Sequence, residues 1–280
     1  MEDLTASVNW FYIELNNQRT LPVIHFDCHA HVYDQIVAHG AVRYLPTRPA
    51  PLADWRALQD SHGLAGGVIV QVSFLGTDNS QMLAALQNLP TGRFAGVAVI
   101  DIGTPDAEIA RLCAAGVRAI RWNLVAGATI PDLTSSAVQS LMRTLARHDM
   151  HLELQLESKR LAPLLPQLAD LPLPVVIDHL GLPETTAAQE PWLNALDALP
   201  ERENFYVKIS APYRGSAQDL DHVDRLLGLL AADRFVWGSD WPHTRHESHA
   251  TYAGLLDDLK NRIDDCAAVR RLYQLRLDHA

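Results

Sequence analysis

Short apolar, β-branched runs return eight times along this chain, and helix-like stretches separate most of them. The runs are VIHFDCH (23–29), GGVIVQVS (66–73), FAGVAVID (94–101), VRAIRWN (117–123), HLELQLE (151–157), PVVIDHLG (174–181), FYVKIS (205–210) and FVWGSD (235–240). Between them, TSSAVQSLMRTLARHD (134–149) opens on Thr and Ser, and SAQDLDHVDRLLGLLAAD (216–233) repeats apolar residues at helical spacing. Strands that are apolar along most of their length suit a parallel sheet covered by helices. Eight of them in 280 residues is the count of a closed (β/α)8 TIM barrel, which is the expected fold class. An open doubly wound sheet shows the same alternation. It usually carries a glycine-rich phosphate turn after an early strand, where this chain has DCHAH (27–31) instead.

No linker composition divides the chain, so residues 1–280 are expected to form one domain, with 1–20 as an N-terminal extension. Those twenty residues lack the basic start and long apolar run of a signal peptide, and no later stretch has the length of a membrane span. A cytoplasmic location is expected, in keeping with three widely spaced cysteines and no CxxC. The net charge of −10, without a basic cluster, gives nucleic acid no electrostatic footprint. An acidic chain that handles an anion needs locally placed arginines. The proline-rich segment 33–55 is long enough to be a lid or an inserted element, and as a lid it brings Arg43, Tyr44 or Arg48 over a ligand.

In a barrel of this kind function gathers at the carboxyl ends of the strands. Those ends carry His29 and His31, Gln71 and Ser73, Asp101, Arg121 and Asn123, Glu153 and Gln155, His179, Lys208 and Ser210, and Asp240. Wet strand ends explain any one of these polar residues, but explain the set poorly. By the alternation of side chains along a strand, Asp27, His29 and His31 share a face, and His29, His31, His179 and Asp240 point into one mouth. Cys28 and Ala30 then face the helices. Arg121, inward on the fourth strand, needs a carboxylate, either a ligand's or an internal one such as Glu153. Lys208 is expected to pair with a neighbouring carboxylate.

The segments DCHAH, QVSFLGTDN (71–79), GVRAIRWN (116–123), VVIDHLG (175–181) and VWGSDWPH (236–243) together resemble the amidohydrolase superfamily. Within it they resemble the branch of 2-pyrone-4,6-dicarboxylate lactonases and sugar-acid lactonases. The resemblance implies a distorted TIM barrel that opens a small anionic lactone by attack of water. It implies metal-independent catalysis, in which His29, His31 and His179 donate hydrogen bonds to the carbonyl oxygen and Asp240 takes the proton from water. Arg121, Ser73, Asn79, Gln155, Tyr213, Arg214 and His243 are the residues expected to bind substrate. Binuclear members bridge their metals through a modified strand-four lysine and add a strand-five histidine; here strand four offers Arg121, and His151 opens strand five. No cofactor is expected to be required. A single zinc or manganese on His29, His31, His179 and Asp240 is the alternative.

The chain also departs from the pyrone-dicarboxylate pattern. It reads HLGLP, with Leu182, where those lactonases carry an arginine, and LVAGATIP (124–131) lacks a basic residue. Each lost hydrogen bond to charge is worth about 1.5–3 kcal/mol. A monoanionic or hydroxyl-rich sugar-acid lactone therefore fits better. A lactone isomerase, a metal-dependent decarboxylase and a non-catalytic sugar-acid-binding barrel are the competing readings.

Overall fold

The structure is a computed structural model that describes residues 23–39, 42–216, 220–259 and 261–277; the expected extension 1–20 lies outside the described residues. Eight parallel strands follow one another in chain order: β1 (Phe26–Ala30), β2 (Gly66–Val70), β3 (Phe94–Ala98), β4 (Val117–Asn123), β5 (His151–Gln155), β6 (Val175–Ile177), β7 (Phe205–Ser210) and β8 (Phe235–Gly238). Each apolar run yields its strand, and the helix-like stretches yield helices on the outside. The longest of these, Ser136–Arg147, is capped by the Ser135 side chain, which accepts from the Val138 amide at 3.4 Å. The second expected helix is Leu220–Leu229.

The strands build the (β/α)8 barrel expected from the sequence. β8 returns to β1 beyond the end of its own ladder. The Asp240 amide donates to the His29 carbonyl at 2.7 Å, and the His31 amide to the Trp241 carbonyl at 2.8 Å. This seam sets the DCHAH segment directly beside Asp240. Gly238 makes the close approach possible, since a Cβ there would stand 2.5 Å from that of His29.

Apolar packing has two layers. Phe26, Cys28, Val68, Val70, Ala95, Val97, Ala119, Val176 and Val236 fill the barrel interior, while Ile69, Ile120, Leu152, Leu154, Ile177 and Trp237 pack outward on the helices. Cys28 therefore faces the interior, not the helices as strand alternation suggested, and Asp27 does not share the face of His29 and His31. The cause is a register shift: Asp27 pairs with Gly67 and Ala30 with Ile69, so β1 spends an extra residue against β2. Asp27 turns outward, where its carboxylate accepts from the Trp55 indole at 2.8 Å, Tyr252 at 3.0 Å and the Ser239 hydroxyl at 2.6 Å.

Candidate active site

The four residues singled out at strands one, six and eight converge. Asp240 Oδ1 lies 3.8 Å from His29 Nε2, 3.7 Å from His31 Nε2 and 3.9 Å from His179 Nε2. All four side chains are buried, and neither Asp240 Oδ1 nor His29 Nε2 has a hydrogen-bond partner among the described residues. Asp240 and His179 adopt positive φ, 58° and 53°. Such backbone is costly for residues other than glycine and collects at functional sites. At β6 this bend is what turns His179 inward. Strand alternation from Val176 puts Asp178 inside, so the chain must swing at His179 to bring a second side chain to the mouth.

Asp240 is anchored through its other oxygen. Tyr213 donates its hydroxyl proton to Oδ2 at 2.7 Å, and Arg214 meets the same atom through Nε and a terminal nitrogen, each at 2.6 Å. Burial alone would raise the Asp240 carboxyl. The Arg214 guanidinium leads the interactions that outweigh it and hold the group well below the usual carboxylate range.

Beneath the imidazoles lies a buried charge network that joins Arg121 and Lys208 to internal carboxylates. Arg121 Nε donates to Asp178 Oδ2 at 2.8 Å, and its terminal nitrogen to Gln155 Oε1 at 2.7 Å. Its internal partner is thus Asp178 and not Glu153. Glu153 instead holds Lys208 at 2.5 Å and accepts from Tyr273 at 2.7 Å, which realises the carboxylate pairing expected for Lys208. The Lys208 ammonium also stands 3.2 Å from His29 Nδ1 and 3.4 Å from Asp178 Oδ1. Asp178 leaves only a weak trace in the sequence, a lone carboxylate following the three apolar strand residues of VVIDHLG.

Above the cluster opens a cavity of about 450 Å³ lined by His31, His179, Asp240, Arg121, Arg214, Ser73, Asn123 and Gln155. Arg43 and Tyr44 from the 33–55 segment and Arg245 from the loop after β8 also line it, whereas Arg48 does not; His29 lies directly beneath the lining, its buried Nε2 facing Asp240 Oδ1. Two expected substrate contacts stand elsewhere. The Asn79 side chain is committed to backbone, donating to the Thr77 and Val99 carbonyls at 3.0 and 2.9 Å and accepting from the Val99 amide at 3.0 Å. His243 packs behind Tyr213, its Nδ1 3.2 Å from the hydroxyl, outside the cavity lining. Tyr213 itself reaches the site through Asp240.

The donor types suit one divalent ion. Imidazole and carboxylate are good ligands for zinc or manganese, and His29, His31 and Asp240 offer ligand atoms within 4.8 Å of one another. His179 would complete the set. Bound there, an ion would polarise a carbonyl and lower the pKa of water. β5 brings no histidine to the mouth: His151 lies at the far end against Tyr273, with ring centroids 4.9 Å apart.

Burial also holds the imidazoles neutral. It pushes His31 from 6.5 down to about 4 and His179 down to about 3. Between those values and 6.5 the unfolded chain binds protons that the native sites refuse, so unfolding is favoured as pH falls. The melting temperature is expected to be level above pH 7 and to fall steadily from pH 6.5 to 4.5. The His31→Gln/His179→Gln variant should show a shallower fall when both proteins are scanned by differential calorimetry.

A family profile described as Amidohydrolase matches residues 26–274. The 2-pyrone-4,6-dicarboxylate hydrolase of Comamonas testosteroni is 29% identical, over 94% of this chain and 92% of the relative. The D-galactarolactone isomerase of Agrobacterium fabrum is 27% identical, over 73% of this chain and 70% of its own. Among solved structures, an Acinetobacter baumannii protein described as a candidate 2-pyrone-4,6-dicarboxylic acid hydrolase, with citric acid bound, superposes with a TM-score of 0.80 at 30% identity. That match covers 89% of this chain and 99% of the other. No helix among the described residues is long and apolar enough to cross a membrane.

Proposed function

From the premise that this chain belongs to the amidohydrolase family, we propose that it is a lactonase: a hydrolase that opens a small anionic lactone by attack of water. The observation that carries this reading is the buried, unpartnered Asp240 Oδ1, faced by three Nε2 atoms at 3.7–3.9 Å under a cavity with arginines in its wall. Asp240 acts as general base toward water, and imidazole N–H groups of the cluster stabilise the oxyanion. Lactones are activated esters, far easier to open than amides, so this arrangement suffices without stronger electrophilic help.

Arg121 and Arg214 position the substrate, with Ser73 and Gln155 available to its hydroxyl groups. Both arginines already hold internal carboxylates, so a ligand carboxylate shares them and does not meet a free cation. Sharing Arg214 weakens its grip on Asp240 Oδ2 and makes Asp240 a better base when substrate is present. Arg43 and Arg245 add positive charge at the rim, where Leu182 supplies none. A singly charged or hydroxyl-rich sugar-acid lactone is the favoured class. Hydrolase names among the relatives support this reading, and the isomerase relative identifies the alternative outcome.

Catalysis is proposed to be metal-independent on grounds of charge. Glu153, Asp178 and Asp240 are matched by Lys208, Arg121 and Arg214, so a divalent ion would add two uncompensated charges to a buried region. A panel of five- and six-membered sugar-acid lactones and 2-pyrone-4,6-dicarboxylate tests the activity, with proton release as readout and NMR of the products. Release of one proton per ring opened supports the hydrolase; a rearranged lactone without proton release identifies the isomerase. Metal content and turnover before and after chelation test the cofactor reading. Full loss of turnover on stripping, restored by zinc, overturns it.

A further inference from the structure

The three imidazoles around Asp240 look equivalent, but their outward nitrogens meet different groups. His31 Nδ1 lies 2.8 Å from the Val70 carbonyl oxygen, which can only accept, so Nδ1 carries the proton and the neutral ring offers a bare Nε2 to the site. His29 Nδ1 lies 3.2 Å from the Lys208 ammonium, which can only donate, so Nδ1 accepts and Nε2 carries the proton. Asp178 Oδ1, the acceptor that would favour the opposite tautomer of His29, is 3.6 Å away, beyond hydrogen-bonding reach. Glu153 fixes Lys208 in place at 2.5 Å. His179 Nδ1 meets the Ser210 hydroxyl at 2.8 Å, a group that donates or accepts.

We infer that Lys208 is a positioning residue that holds His29 as the Nε2–H tautomer while the Val70 carbonyl holds His31 as the reverse one, so that His29 donates to the lactone oxygen and His31 accepts from the attacking water. The inference rests on the lactonase reading for its catalytic meaning. Water offers one hydrogen to Asp240 Oδ1 and the other to His31 Nε2, which directs a lone pair at the carbonyl carbon. The new C–O bond forms as the first proton passes to Asp240, and the carbonyl electron pair moves onto the oxygen held by His29. Collapse breaks the ring C–O bond, and the departing ring oxygen takes the proton back from Asp240. One water is consumed and one hydroxy acid is formed. His31 thereby leaves the set of three donors implied by the family resemblance.

Long-range proton–nitrogen correlation spectra of the full chain labelled with 15N-histidine test this directly, with His29→Gln and His31→Gln spectra supplying the assignments. At pH 7.5 the expected pattern is a bare Nδ1 and protonated Nε2 for His29, and the reverse for His31. A proton on His29 Nδ1, or on His31 Nε2, overturns the inference. The charge-balanced double variant Glu153→Gln/Lys208→Met supplies the second arm. Its His29 signal should shift toward the Nδ1–H form, with kcat lowered about 10²-fold, as for a lost oxyanion donor, and KM within a few-fold. A folded double variant with wild-type kcat and an unchanged His29 spectrum also overturns it. Should that variant not fold, the wild-type spectrum still decides. The spectra need no substrate, so failure of the lactone panel leaves the tautomer result standing and rejects only the lactonase reading.

Discussion

Asp240→Asn is expected to lower turnover of the best lactone by about 10²–10⁴-fold, the range for loss of a positioned general base, while leaving binding of the product acid nearly unchanged. The amide keeps the size of the carboxylate and one acceptor, so Tyr213 and Arg214 retain a partner where they now meet Oδ2 at 2.6–2.7 Å. What is lost is the proton-accepting Oδ1 that faces the three imidazoles. Steady-state kinetics together with calorimetric titration of the product separate the two effects. Wild-type kcat in the variant removes Asp240 from the mechanism. Loss of binding with kcat preserved makes it a ligand contact instead.

The order of the strands was legible because each is a short apolar run bounded by helix or turn signals, and a parallel barrel places such runs in chain order. The convergence of His29, His31, His179 and Asp240 was legible too, but the geometric route to it was not the one that strand alternation suggests. A register shift in β1 turns Cys28 inward and Asp27 outward, and positive φ at His179 brings in a residue whose neighbour Asp178 already points inside. Neither device has a strong local signature, since both answer to partners across the sheet. That Arg121 and Lys208 need carboxylates was legible, but their partners were hidden for the same reason. Arg121 finds Asp178 and Lys208 finds Glu153 across 57 and 55 residues of sequence, pairings that only the closed barrel defines. Asn79 illustrates the opposite case. It lies near a strand end in a motif that carries the resemblance, yet its amide ties two loops together at the Val99 backbone.

The outward turn of Asp27 makes it the residue whose loss should most damage the fold while touching no substrate. Its buried carboxylate accepts from the Trp55 indole, the Tyr252 and Ser239 hydroxyls, and the Ser239 and His29 amides, and so joins an outer helix, the β8 seam and β1. Asp27→Ala leaves several buried donors without an acceptor, each costing about 1–3 kcal/mol. With water entering the gap to satisfy some of them, a net loss on the order of 4 kcal/mol remains. For a chain of this size that lowers the melting temperature by about 10 °C or more. Asp27→Asn keeps one acceptor and should fall between wild type and Asp27→Ala, whereas Asn79→Ala, which frees a partly buried loop tie, should cost less than either Asp27 variant. Thermal melts of the three variants give the ranking. An Asp27→Ala protein melting within about 2 °C of wild type would mean that the β1–β8 seam is held by its backbone bonds alone, because the donors left behind would then carry less than about 1 kcal/mol in total.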